Sequence, residues 1–404
     1  MNKMAPHPRE FIWIAPFLCI GLMALSLLRP LPHFPVPAHG RTVVDAEGTA
    51  VQIERPFRGT VLTWGAWGVE RYLESTRAPE TMLMAGGPWA RTGFARDVMS
   101  WIYPEVLKQD RVWDTKKGDQ SRRAKTEIET LFAYNPGAYL GNGGNFGMVP
   151  VLRRVGLPTL YLSDPDPDKK KNWDDVMFAT ARVETALTEH PERGEALIAR
   201  YRQTYVDLDR DLHTSSLTSQ PRVLIMGSST RNRSFLYIKS IKNSYQIYLP
   251  PAGVVNASQG YTGEAQDAER VLATDPDIVF LVGRSDNPWP TQSPQEFMHD
   301  PRWRGLKAVK EKRVYRMPGT GPGGLAGLIF QPIWVRWMAE IAHPDRMQPR
   351  TRQILRDRLM GEFGYRLTDE QIDFLLWISE NKGSAGYGRF DRNYRTSNDK
   401  GPAE

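Results

Sequence analysis

Guanidinium groups close behind apolar runs are the first feature with chemical content in this 404-residue chain. Arg231 and Arg233 stand two apart in SSTRNRS (228–234), directly after the run RVLIMG, and Arg284 closes DIVFLVGR. Planar guanidinium forks at strand ends can hold carboxylates or phenolates bidentately, so the three are candidates for an anion-binding wall; solvated surface arginines are the plainer alternative. In the first half, TWGAWG (63–68) ends another apolar run with two indoles beside glycines, which makes Trp64 and Trp67 candidates for flanking a bulky ligand, against simple packing. GNGGNFG (141–147) follows a third run. Its backbone amides can face a crevice, with Asn142 and Asn145 hydrogen-bonding and Phe146 stacking, or it is a flexible turn.

Enzyme chemistry finds less support. GTGPGG (319–324) is a literal GxGxxG between a strand-like run and a helical one, but the acidic residue such a dinucleotide signature needs at the end of a next strand is missing: Glu340 falls inside a helical segment. The seven histidines show no ligand spacing, there is no HExxH and no GxSxG, and Cys19 is the only cysteine. No catalytic residues, no bare metal-ion site and no cofactor are expected.

These residues need elements to hold them, and the chain supplies a two-part layout. Residues 1–38 have a basic start, an apolar run from Phe11 to Leu28 and a small residue at Ala38, which reads as an export signal, with an uncleaved inner-membrane anchor as the alternative. The formal charge is +7; residues 1–38 contribute Lys3, Arg9 and Arg29 against Glu10, so the remainder carries +5, which suits an anionic ligand. No basic block with interleaved aromatics argues for nucleic acid.

RTVVDAEGTAVQIERP predicts a small hairpin turning at Glu47 and Gly48. The runs GTVLTW, ETMLMAGG, GAYLGNGG and LPTLYLSD predict buried parallel strands of an α/β lobe over 41–168. Apolar spacing from Val176 to Leu208 predicts one long linker helix over 172–213, with a dent at HPERG (190–194). RVLIMGSS, DIVFLVGR and RVYRMPG predict a second α/β lobe with terminal helices over 220–380, and the Gly-, Ser- and charge-rich residues 382–404 a disordered tail. An internal repeat supports the division: ETLFAYNPGAYL (129–140) and ERVLATDPDIVF (269–280) share a helical start at Glu, a Pro stop and a strand, once per lobe.

Taken in order, the opening hairpin, the blocks IETLFAYNPGAYL and VLRRVGLPTLYL, then AERVLATDPDIVFLV, DPRWRGLKAVKEKRVYRMP, WMAEIAHPDRM and GEFGYRLTDEQIDFLL resemble the solute-binding proteins of ABC importers for ferric siderophores, haem, cobalamin and oxyanions, the class III periplasmic binding proteins. The resemblance spans about residues 41–380. It implies two three-layer α/β lobes joined by one long linker helix, modest closure on a ligand, a periplasmic monomer and an ABC-importer permease as partner. It also implies one exposed glutamate per lobe that docks on the permease, which falls on Glu129 and Glu269, the first residues of the two repeat copies. The ligand expected is a ferric siderophore or similar anionic metal chelate; haem, cobalamin or molybdate are alternatives within the family, and an exported dinucleotide-dependent oxidoreductase outside it. The family's ligand contacts vary, so the cleft candidates rest on position and chemistry. Residues 85–125 and PTLYLSDPDPDKKKNWDD depart from the family pattern in length, aromatic content and charge.

Overall fold

The computed structural model describes residues 40–62, 65–86, 94–107, 112–113, 131, 133–141, 149–163, 173–213, 217–228, 236–238, 249–258, 268–282, 292–318 and 327–394. The export segment expected over 1–38 lies outside them.

The hairpin forms where the sequence predicts it, as antiparallel β1 (Gly40–Val44) and β2 (Ala50–Glu54). Its turn is fixed to the first lobe by Asp45, a buried carboxylate that accepts the N–H groups of Glu47, Thr49 and Tyr161 and pairs with Arg153 at 2.8 Å. The first lobe then runs β3 (Thr60–Leu62), α1 (Gly65–Thr76), β4 (Met82–Gly86), α2 (Phe94–Ile102), β5 (Val112–Trp113), β6 (Ala138–Gly141), α3 (Val149–Arg154) and β7 (Thr159–Tyr161). Its sheet has the order β5-β4-β3-β6-β7 with every pair parallel. Four of those strands are the four apolar runs read from the sequence. The fifth, β5, is two residues long and lies in the segment that departs from the family pattern.

The linker corrects an expectation. In place of one helix over 172–213 there are two, α4 (Trp173–Leu187) and α5 (Pro191–Leu212). Pro191 disfavours helical geometry at the residue before it, and His190 is extended away from helix (φ −126°, ψ 53°) while Glu189 takes a left-handed turn (φ 65°). The chain therefore doubles back, and α5 packs antiparallel on α4. Tyr201 donates to Asp174 at 2.6 Å, Arg182 pairs with Glu195, and Gly194 sits so close to α4 that a Cβ there would lie 2.6 Å from the Thr185 hydroxyl oxygen. The rod between the lobes is α5 alone, whose 22 residues span roughly 33 Å.

The second lobe comprises β8 (Arg222–Ser228), β9 (Leu236–Ile238), β10 (Val255–Asn256), α6 (Ala268–Thr274), β11 (Ile278–Leu281), α7 (Pro294–His299), α8 (Lys307–Lys310) and β12 (Val314–Arg316). Its sheet is β10-β8-β11-β12, all parallel, with β9 antiparallel to β8. Strand alternation sends Val223, Ile225, Ile278 and Phe280 to one buried cluster and Leu224, Met226, Val279 and Leu281 to another, where Phe297 and Trp303 stack at 5.3 Å. A sheet buried on both faces is the middle of three layers. The first of these clusters continues along Leu197, Tyr201 and Leu208 of α5 to Tyr72, Leu140 and Leu160 of the first lobe, so one apolar core runs through both halves.

Where residues of both are described, the repeat copies fold alike. Asn135 and Asp275 each take a left-handed φ (43° and 30°), close a helical turn onto Leu131 and Leu272 respectively, and are followed by Pro and a strand, β6 or β11. Short polar side chains tolerate that conformation, which is why Asn and Asp occupy it.

Three terminal helices follow, α9 (Gln331–Ala342), α10 (Thr351–Phe363) and α11 (Asp369–Leu375), the last opened by the capping box of Thr368 and Gln371. The tail expected from 382 is a second correction, because residues 382–394 pack against the second lobe. Ser384 donates to the carbonyl of Val314, Tyr315 donates to that of Ala385, and buried Tyr387 accepts from the Trp337 indole at 3.1 Å. Two aromatic anchors, Tyr387 and Phe390, outweigh a polar, Gly-rich composition. Residues 395–404 lie outside the described residues.

Candidate functional site

An open parallel sheet leaves a crevice at the carboxyl ends of its strands, where the winding direction reverses. In the first lobe the reversal falls between β3 and β6, and in the second between β8 and β11. The residues singled out from the sequence follow those four strands: Trp64 two positions after β3, Asn142, Asn145 and Phe146 within five of β6, Arg231 and Arg233 within five of β8, and Arg284 three after β11. Trp64, Asn142, Asn145, Phe146, Arg231, Arg233 and Arg284 themselves lie outside the described residues, as does GTGPGG. Trp67 is placed as a backbone position in the first turn of α1. Of the two docking candidates, Glu269 is exposed in the first turn of α6, and Glu129 lies outside the described residues.

Between the lobes the described residues form a seam that the sequence did not announce. Residues 70–76 of α1 are all buried, among them Glu70, Arg71 and Glu74. Glu74 accepts the N–H of Ile329, on the approach to α9, and lies against Gly327 so closely that a Cβ there would fall 1.7 Å from its carboxylate oxygen. Glu184 of α4, 1% exposed, is hydrogen-bonded to Ser75. Burial pushes both carboxyls up, Glu74 well above the usual carboxyl range against the Ile329 N–H and the charge of Arg71, and Glu184 to about 7 against Arg71 and Ser75. One oxygen of each has no hydrogen-bond partner among the described residues. Beside them Gln331 of α9 donates to the Tyr201 hydroxyl of α5 at 2.8 Å, a polar tie between the second lobe and the rod.

Among the described residues no group of three or more His, Cys, Asp or Glu is placed to hold a metal ion. No helix among them is long and apolar enough to cross a membrane.

Two parallel three-layer lobes on one rod define the class III periplasmic binding protein fold. The Periplasmic binding protein family matches residues 100–320, more than half of the chain, and the protein belongs to it. Membership makes it a solute-binding protein of the ABC-transporter type, which implies an extracellular or periplasmic location and a permease partner, and not an enzyme. A search of curated proteins finds no match.

Solved structures agree on the fold. A periplasmic solute-binding protein of Veillonella parvula is 18% identical, with a TM-score of 0.65 over 85% of this chain and 98% of that one. The Haemophilus influenzae protein MolA, bound to molybdate, is 17% identical, with a TM-score of 0.63 over 81% and 99%. Helicobacter pylori CeuE, in a Ni-His complex, is 16% identical, with a TM-score of 0.60 over 84% and 100%.

Proposed function

We infer that the protein captures a ferric siderophore or comparable anionic metal chelate and hands it to the permease, as a monomer that contributes no cofactor of its own. The observation that supports this is topological. The tryptophans and asparagines of one lobe and the arginines of the other follow the four strands that flank the two reversals, which is where a two-lobed carrier encloses its guest. Aromatic faces suit the organic shell of a chelate and guanidiniums its negative charge. A bare oxyanion would need only a polar nest and leaves Trp64 and Trp67 without a task, although the likeness to the molybdate-bound MolA makes molybdate the comparison to run.

Thermal melting with each ligand class decides. Ferric siderophores of catecholate and hydroxamate type are expected to raise Tm by mass action, and molybdate and NAD(P) to leave it unchanged. A shift with molybdate alone overturns the chelate reading. Docking is tested separately: reversing Glu129 and Glu269 to Lys together is expected to abolish uptake with ligand affinity intact, and normal uptake by that variant refutes it.

A further inference from the structure

A second basin lies away from the strand ends. The crossover helix α1 returns the chain to the amino edge of the first sheet, so Arg77, the residue after α1, sits at the edge opposite the cleft. There Arg77, α5 and α10 border an open cavity of about 550 Å³. Four guanidiniums line it: Arg77 from the first lobe, Arg193 and Arg200 from the rod, and Arg358 from the second lobe.

Their charge is under-compensated. A single buried carboxylate, Glu362, serves three of them: it pairs with Arg77, with Arg200 at 2.6 Å and with Arg358 at 3.9 Å. Among the described residues Arg193 donates to one acceptor, the main-chain carbonyl of Thr76 at 2.8 Å. The two other carboxylates at the cavity are exposed and engaged beside it, Glu192 with His190 at 3.1 Å and Asp357 with Gln353 at 2.7 Å. The Nε of Arg77 is buried with no hydrogen-bond acceptor among the described residues. Burial holds both Arg77 and Arg358 below the ordinary guanidinium range, with Glu362 opposing and neighbouring arginines adding to it. Guanidiniums gathered around too few carboxylates, with donors to spare, are what a small polyanion binds.

We propose that this groove is a second anion site, distinct from the ligand cleft, that takes a small polyanionic oxyanion of the phosphate class. Because its arginines come from both lobes and from the rod, an anion held there ties the halves together at the back, and its affinity is linked to the angle between them.

The test uses the full chain without cleft ligand, titrated with inorganic pyrophosphate at low ionic strength and followed by calorimetry. Saturable one-site binding is expected, weakened by about tenfold or more in Arg193→Gln and in Arg200→Gln, and unchanged in the cleft variant Arg231→Gln/Arg233→Gln. Arg193→Gln leaves the Glu362 pairs in place, so its circular dichroism and Tm keep the result separate from misfolding. Absence of saturable binding by the parent protein overturns the proposal. So does binding that survives both groove substitutions, or that disappears only in the cleft variant. Failure of the siderophore reading would leave each of these outcomes untouched.

Discussion

Two buried helices meet at the seam between the lobes and treat their charges in opposite ways. All twelve residues of α9 are buried, yet its ions are fully engaged: Arg336 pairs with Glu340 at 2.9 Å and Asp211 at 2.7 Å, and Glu340 also accepts from the Thr351 hydroxyl and the Arg350 N–H. Burial pushes Glu340 up as well, but Arg336, Thr351 and Arg350 all oppose it. The buried carboxyls of Glu74 on α1 and Glu184 on α4 have less: the cation they share is Arg71, with Arg358 also acting on Glu74. A locked ion network ties α9 to the rod, whereas at the contact with the first lobe burial raises two carboxyls that have little opposing charge.

That contrast can be broken at three points. Glu340→Ala takes from Arg336 its fully buried partner, leaving it Asp211, and deprives the Thr351 hydroxyl and the Arg350 N–H of their acceptor; it is expected to cost about 3–5 kcal/mol in urea denaturation, and a loss no larger than that of Glu74→Ala would erase the distinction. Gly327→Ala drives a methyl into the Glu74 carboxyl and is expected to cost about 1–3 kcal/mol by thermal unfolding, while Gly361→Ala, where a Cβ meets nothing within 4 Å, shows no such clash. The smallest effect is on pH. A carboxyl that holds its proton more tightly when folded stabilises most below the ordinary carboxyl range and loses that contribution as pH rises through neutrality. Glu74→Gln cannot ionise, so it should gain on the parent protein between about pH 5 and about pH 8. A stability difference that stays constant over that span would show Glu74 to be charged throughout.

Much of the scaffold could be read from the sequence because its parts are local. Apolar runs ending in Gly, Asn, Asp or Trp marked β3, β4, β6 and β7, the runs RVLIMGSS, DIVFLVGR and RVYRMPG marked β8, β11 and β12, and the Asn-Pro and Asp-Pro stops marked β6 and β11 as counterparts. Strands of two residues, β5 and β10, carry too few side chains to show a period. Helical periodicity is the same whether a chain runs straight or doubles back, so Pro191 suggested a dent where there is a reversal. Nothing in the sequence separates Glu74, buried against Gly327, from any helical glutamate, since its environment comes from a residue 253 positions away. The four groove arginines are scattered from 77 to 358 for the same reason. The cleft candidates rest on position alone, each behind a strand that flanks a reversal.

The apolar core that threads both halves through α5 has a mechanical meaning. Among the described residues the two halves share one packed spine, so displacement of one plate against the other is expected to stay small, with little ordering entropy to spend when a guest is gripped.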